Sequence, residues 1–133
     1  MQAATNSKAT PPPTFSPAQI GCLEHGASRL YAEVVQTVEA TQICWVRPLL
    51  LTHGAAVEDP VEPDPERQLA DLRQGSDLLL PIALFRGALD VEVIPLLAQL
   101  GEVQECVAPM HQRQLNQLIQ KVCRANPALF QDR

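Results

Sequence analysis

Two neighbouring runs in the first half of the chain carry a strong β pattern. Residues 30–39 (LYAEVVQTVE) alternate apolar and polar positions, although Val35 and Gln36 interrupt the alternation. Residues 43–51 (ICWVRPLLL) are strongly strand-forming, and only three residues separate the two runs. We therefore predict an antiparallel hairpin, with Pro48 at an edge or a bulge because proline cannot donate to a sheet ladder.

A second, shorter pair of strands is predicted further along the chain. Residues 69–72 and 77–80 flank residues 73–76, where Gly75 can adopt the positive φ of a tight turn. We predict that these two segments form another hairpin. One helical turn is predicted to follow at residues 82–86.

Helical spacing dominates the C-terminal third. Asp90 can cap a helix that runs toward Leu100 and stops at Gly101. Pro95 fits the first turn of a helix, so we predict that this helix either begins late or is kinked. The clearest helix spans residues 109–125. Its apolar positions recur at helical spacing: Leu115, Leu118, Ile119 and Val122. About four short strands followed by helices predict an α+β domain, a small antiparallel meander or partial barrel covered by its C-terminal helices.

Proline marks the limits of the folded part. Twelve of the 133 residues are proline, about twice the usual share, and they cluster. Four lie within residues 1–17, which we predict to be a disordered, polyproline-like tail. Three more alternate with acidic residues near 55–66, which we predict to be a disordered, solvated loop. Residues 18–133 are predicted to form a single domain.

Charge and hydropathy exclude several classes of protein. The formal net charge is -5 at pH 7, which argues against a chain whose main partner is nucleic acid. The longest stretch without a polar side chain, residues 78–85, is far shorter than the roughly 18 residues of a membrane span. The N-terminal sequence lacks the apolar segment of a secretory signal, so we expect a cytoplasmic protein.

No catalytic or cofactor signature is present in the sequence. It contains no G-x-S-x-G, no phosphate-cradling glycine loop and no H-E-x-x-H, so we expect a non-enzymatic protein without a cofactor. A four-ligand zinc site can be drawn from four residues: Cys22, His25, Cys106 and His111. Its two halves lie far apart in sequence and neither forms a tight knuckle, so we expect no metal. Cys44 and Cys123 fall within apolar runs and are expected to be small buried hydrophobes.

Polar groups embedded in the apolar runs are the candidate site. Trp45 and Arg47 lie two apart in a predicted strand and therefore project from the same face. In one interpretation, Arg47 and Arg73 pair with Asp71 or Asp77 and hold the register of two hairpins. Because a guanidinium is rarely buried without a carboxylate, that face should be partly wet, and we expect Trp45 to be partly exposed.

In the other interpretation, the same groups bind a protein partner, since Trp and Arg are enriched in interface hot spots. The predicted patch contains five residues: Trp45, Arg47, Arg73, Phe85 and Arg86. The alternative is a small-barrel nucleic-acid-binding protein that uses four arginines: Arg29, Arg47, Arg73 and Arg86. A thiol or zinc protein is a third hypothesis, which the metal content of the purified protein would test.

Two stretches resemble a group of small cyanobacterial proteins without an assigned activity. They are LYAEVVQTVEATQICWVRPLLL and ADLRQGSDLLLPIALFRGALDVEVIPLL, and the resemblance extends over about residues 30–100 without the acidic loop. The resemblance implies a cytoplasmic protein of a photosynthetic bacterium and supplies no catalytic residue. By elimination of the other classes, we expect a non-enzymatic protein-binding module, an accessory or assembly factor for a larger complex.

Overall fold

The computed structural model describes residues 14–54, 68–102 and 108–130. These residues contain one open, fully antiparallel sheet of six strands in the order β4-β3-β2-β1-β6, with β5 also paired to β3. The strands are β1 (Ile20–His25), β2 (Ser28–Val38), β3 (Ile43–His53), β4 (Gln68–Asp71), β5 (Leu78–Pro81) and β6 (Phe85–Gly87). The helices are α1 (Asp90–Glu102), α2 (Ala108–Ala125) and α3 (Pro127–Phe130), and a 3-10 turn spans Ile82–Leu84.

The α+β class and the C-terminal position of the helices are confirmed, whereas the partial barrel is wrong. The sheet does not close, because β6 at one end and β4 and β5 at the other are edge strands. It also has six strands rather than about four. Two strands were missed: β1, which precedes the first predicted run, and β6, which lies where a helical turn was predicted and follows the 3-10 turn.

The hairpin of β2 and β3 is confirmed, and Pro48 lies at a bulge as predicted. Tyr31 pairs with Leu50 and Ala32 with Pro48, so Leu49 is the extra residue. The bulge lets the strand carry a residue without an N–H. A second register shift leaves Val35 unpaired between Val34 and Gln36. This bulge explains why the alternation of apolar and polar residues is interrupted at these positions.

The second predicted hairpin is wrong. β4 pairs with Leu50–His53 of β3 and β5 pairs with Ile43–Val46 of β3, so the two short strands lie end to end along one edge of β3. β3 has eleven residues, which is enough to pair with two strands of four. Gly75 does not adopt the positive φ that was predicted for a hairpin turn.

The two longer helices differ slightly from their predicted bounds. α2 begins one residue earlier than predicted and ends at Ala125 as predicted. α1 passes through Gly101 to Glu102 and tolerates Pro95 within it. Asp90 is the first residue of the helix rather than its cap, so Leu89 occupies the cap position. The Leu89 N–H donates to Oε1 of Glu92 at 3.3 Å, as in a capping box.

Each face of the sheet carries a buried cluster. On the α2 face, the larger cluster is completed by three side chains of α2: Leu115, Leu118 and Val122. On the α1 face, a smaller cluster contains six residues: Cys22, Tyr31, Leu50, Val93, Leu96 and Leu100. Each fully buried leucine contributes about 1.5–3 kcal/mol to folding.

The folded part extends further toward the N-terminus than predicted. Phe15 is 6% exposed and belongs to the cluster on the α2 face, and the Ala18 N–H donates to Val34 O at 2.8 Å. Residues 14–17, which the sequence analysis assigned to the tail, therefore include a core side chain. The rest of the predicted tail and the predicted acidic loop lie outside the described residues.

Candidate protein-binding surface

α1 covers only one half of its face of the sheet. It packs over Tyr31 and Leu50, whereas the half near the β2–β3 turn carries exposed apolar side chains. Val38 is 44%, Trp45 38% and Leu79 69% exposed. With Arg47 and Asp77 these residues form the surface that we call the Trp45 patch (Val38, Trp45, Arg47, Asp77 and Leu79).

Trp45 and Leu79 are direct cross-strand neighbours in this patch. The Ile82 N–H donates to Gln42 O at 2.9 Å, so alternation along the antiparallel ladder makes Trp45–Leu79 a non-hydrogen-bonded pair. In such a pair the side chains approach most closely. It also follows that the peptide N–H and C=O of Leu79 face away from β3, toward the open edge of the sheet.

Asp77 accepts hydrogen bonds from two side chains of the patch, those of Trp45 and Arg47. The Trp45 Nε1–H donates to Asp77 Oδ2 at 2.8 Å, and the Arg47 Nε–H donates to Asp77 Oδ1 at 3.3 Å. These two hydrogen bonds, Trp45 first, lower the pKa of the Asp77 carboxyl. Asp77 therefore holds both the indole and the guanidinium in place.

Arg73 does not join the patch. Its guanidinium makes two hydrogen bonds to Asp71, of 2.8 and 3.0 Å, within the connection between β4 and β5. The pairing of Arg47 with Asp77 and of Arg73 with Asp71 agrees with the ion pairs of the first interpretation. The second of the two hairpins whose register they were predicted to hold does not form. Only the Arg47 pair links two segments distant in sequence.

Phe85 and Arg86 do not line the patch either, which corrects the predicted set. Phe85 is 3% exposed in the core of the α2 face. Arg86 projects from the α1 face and binds two carboxylates: its Nη2 lies 2.6 Å from Glu92 Oε2 and its Nε lies 3.0 Å from Glu24 Oε1. Phe85 and Arg86 are adjacent in β6 and therefore project from opposite faces of the sheet. The sequence predicted a helical turn here, so this difference between the two side chains was missed.

Glu24 and Glu92, the two carboxylates that bind Arg86, belong to a hydrogen-bond network that holds α1 on the sheet. The Tyr31 hydroxyl donates to Glu92 Oε2 at 2.6 Å, and Glu24 also accepts from Arg29 at 3.0 Å. Burial would raise the pKa of Glu92, but the hydrogen bonds from Arg86 and Tyr31 outweigh it and lower that pKa to about 2. Every polar group here has a partner, so the network has a structural role.

Two of the three cysteines among the described residues, Cys22 and Cys44, sit in the core. Burial raises the pKa of the Cys22 thiol to about 12 and that of Cys44 to about 11, so neither is an activated nucleophile. Cys44 is buried as predicted, whereas Cys123 is only half-buried.

The four-ligand zinc site drawn from the sequence does not form. Cys22 packs under α1, whereas His111 lies on α2 at the opposite face of the sheet, with Nδ1 3.1 Å from Asp71 O. His25 is three residues from Cys22 and so projects from the other face of β1, and Cys106 is outside the described residues. Within residues 14–54, 68–102 and 108–130, no cluster of three or more potential metal ligands is present.

Comparison with protein-family models, curated proteins and solved structures finds no match for this chain. None of the helices in the described ranges has the length and hydropathy needed to cross a bilayer.

Leu79 and Val38 are the patch residues that sequence reasoning missed. A signal for Leu79 exists in the run 78–80, since three consecutive leucines in a strand cannot all face one side. Val38 is the last residue of β2, where the alternation of apolar and polar residues does not indicate whether a side chain is buried. Asp77 was interpreted as a partner of arginine, but its bond to Trp45 requires the register of β5 against β3.

Proposed function

We propose that this protein is a non-enzymatic protein-binding module that docks a partner protein through the Trp45 patch. Such a module would act as an accessory or assembly factor for a larger complex. The observation that carries the proposal is the Trp45–Leu79 pair, an exposed aromatic beside an exposed leucine on the half of the sheet face that α1 leaves open. Apolar side chains that cluster on an open surface are typical of interaction sites.

Preorganisation supports the proposal. Binding costs less when the contact side chains already have their bound conformation. Trp45 and Arg47 meet this condition because Asp77 holds both, and Trp and Arg are the residue types most enriched in hot spots. At the edge of β5, the outward peptide groups of Leu79 can add hydrogen bonds to an extended segment of the partner.

The state of the arginines favours a protein over a nucleic acid as the partner. All four arginines of the alternative hypothesis are ion-paired with carboxylates: Arg29, Arg47, Arg73 and Arg86. A paired guanidinium offers less positive potential to a phosphate backbone than a free one. The net charge of -5 acts in the same direction. From the resemblance to small cyanobacterial proteins, we infer that the complex lies in the cytoplasm of a photosynthetic bacterium.

Quantitative co-purification with matched variants tests the proposal. The chain is expressed in its native host with a tag, as wild type, as Leu79→Glu and as Val91→Glu. Val91 is the control because it is 64% exposed and apolar but lies on α1, outside the patch. We expect Leu79→Glu to lower the recovery of a stoichiometric protein partner by about tenfold or more, and Val91→Glu to leave it unchanged.

Three results would contradict the proposal. The first is equal recovery of the partner with all three proteins, which would place the interface elsewhere. The second is recovery that depends on Val91 and not on Leu79. The third is a ribonuclease- or deoxyribonuclease-sensitive, strongly salt-dependent association, which would favour the nucleic-acid hypothesis.

A further inference from the structure

A cavity of about 540 Å³ lies on the opposite side of the sheet from the Trp45 patch, between the β3–β4 ends and α2. Its walls combine apolar side chains, such as Leu51 and Leu118, with polar groups from both elements. The polar side chains that line it are Ser28, His53, His111, Gln114, Gln117 and Lys121. A mixed lining of this kind, with a few polar groups among apolar ones, is typical of small-molecule sites.

The charge of this lining is one-sided. Within the described residues, no carboxylate side chain lines the cavity. Lys121 contributes a cation, and no described residue forms an ion pair or a hydrogen bond with its ammonium. The described lining therefore carries a cation without a compensating carboxylate, which favours an anionic ligand.

The two imidazoles are fixed by neighbours. His111 Nδ1 lies 3.1 Å from the carbonyl oxygen of Asp71, so this nitrogen carries the proton and Nε2 remains available. Ser28 Oγ lies 2.8 Å from His53 Nδ1, which likewise leaves Nε2 of His53 without a protein partner in the described chain. Both rings are thus oriented before a ligand enters.

The polar groups are spread along the cavity. His111, Gln114 and Lys121 lie along one stripe of α2, with Leu118 between them. Ten residues of helix separate His111 from Lys121, which corresponds to about 15 Å. The length and the apolar middle suit an elongated ligand rather than a compact inorganic ion.

We propose that this cavity binds an organic anion with a carboxylate or phosphate head and an apolar body. The Lys121 ammonium pairs with the head group, the histidines and glutamine amides supply further hydrogen bonds, and the leucines contact the apolar body. This site is independent of the protein-binding surface, because it lies on the other face of the sheet.

Calorimetric titration of the full chain with three C8 probes tests this assignment. Octanoate and octyl phosphate supply the two head groups, and octanol supplies the same apolar body without charge. We expect one of the anions to bind saturably at one site, at least tenfold more tightly than octanol. The variant Lys121→Gln should weaken that binding about tenfold, as expected for the loss of a charge-assisted hydrogen bond.

Arg124→Gln is the matched control, since it removes the same charge from the same helix three residues on and Arg124 does not line the cavity. Its affinity for the anion should equal that of the wild type. Amide NMR shifts during the titration should centre on residues 51–53, 69–70 and 110–121. Equal effects of the two variants, equal affinity for octanol, shifts centred on the Trp45 patch, or no saturable binding of either anion would each overturn the proposal.

Discussion

The indole of Trp45 is hydrogen-bonded to Asp77 across 32 residues of sequence, at 2.8 Å. The bond leaves the ring 38% exposed rather than burying it in the core. Because Arg47 shares the same carboxylate, one aspartate organises an aromatic and a cationic side chain beside the exposed Leu79. This arrangement distinguishes a contact surface from ordinary core packing.

Tryptophan fluorescence provides the first test of this arrangement. Trp45 is the only tryptophan of the chain, so its emission reports on one environment. We expect acrylamide to quench the emission of the native protein, with a rate intermediate between those of a buried and a free indole. The substitution Trp45→Ala should cost less than the roughly 3–5 kcal/mol of a fully buried tryptophan. A blue-shifted emission that resists quenching would place Trp45 in the core.

The network below α1 should control acid stability. Because Glu92 has a pKa of about 2 in the folded protein against a usual value of 4.5, it binds fewer protons when folded than when unfolded. Its contribution to stability is therefore complete above about pH 4.5 and is lost as the pH falls through about 2. We expect Glu92→Gln to lower the free energy of unfolding at pH 7 by about 2–3 kcal/mol.

Urea denaturation from pH 3 to pH 7 measures this effect. The difference between wild type and Glu92→Gln should shrink toward low pH. Glu33→Gln is a suitable control, since Glu33 forms no ion pair with any residue of the described ranges. A difference of the same size at every pH would show that the stabilisation does not come from the ionised carboxylate.

Phe15 should stabilise the domain although it lies far toward the N-terminus. Its ring is 6% exposed and packs against the core of the α2 face. Deletion of residues 1–16 should therefore lower the free energy of unfolding by about 3 kcal/mol relative to deletion of residues 1–13, which keeps the ring. Equal denaturation midpoints for the two truncations would show that Phe15 contributes nothing to the core.

Thiol labelling should distinguish the cysteines of the described chain. Burial raises the pKa of Cys22 to about 12 and of Cys44 to about 11, so almost no thiolate forms at pH 8. We expect iodoacetamide to modify Cys123, which is half-buried, faster than Cys22 or Cys44 in the native protein. Mass spectrometry of the peptides measures the rates, and denaturant should abolish the difference. Rapid native labelling of Cys22 would contradict the packing of α1.

Local pattern predicted the elements whose signals are continuous in sequence. The β2–β3 hairpin and α2 follow from alternation and from helical spacing, and the interruption at Val35 corresponds to a bulge. The pairing of β4 and β5 with one edge of β3 could not be predicted in this way. Both strands have ordinary strand patterns, and the choice of partner depends on the length of β3 and on long-range contacts.

In the candidate site, too, local relationships could be predicted and long-range contacts could not. Strand alternation predicted that Trp45 and Arg47 share a face, because this relationship is local. The position of Leu79 beside Trp45 depends on sheet register, and the burial of Phe85 depends on a three-residue strand that no periodicity defines. Polar residues at such long-range contacts had two possible interpretations, because local pattern does not specify their partners.

Site-directed photo-crosslinking tests the proposed interface most directly. A photoreactive amino acid is placed at position 79 or, as control, at position 91 of the full chain in its native host, and adducts are identified by mass spectrometry. We predict one dominant protein adduct from position 79, absent from position 91, that is lost when Trp45→Ala is added. A nuclease-sensitive adduct, or the same adducts from both positions, would contradict the assignment of the Trp45 patch as a protein-binding surface.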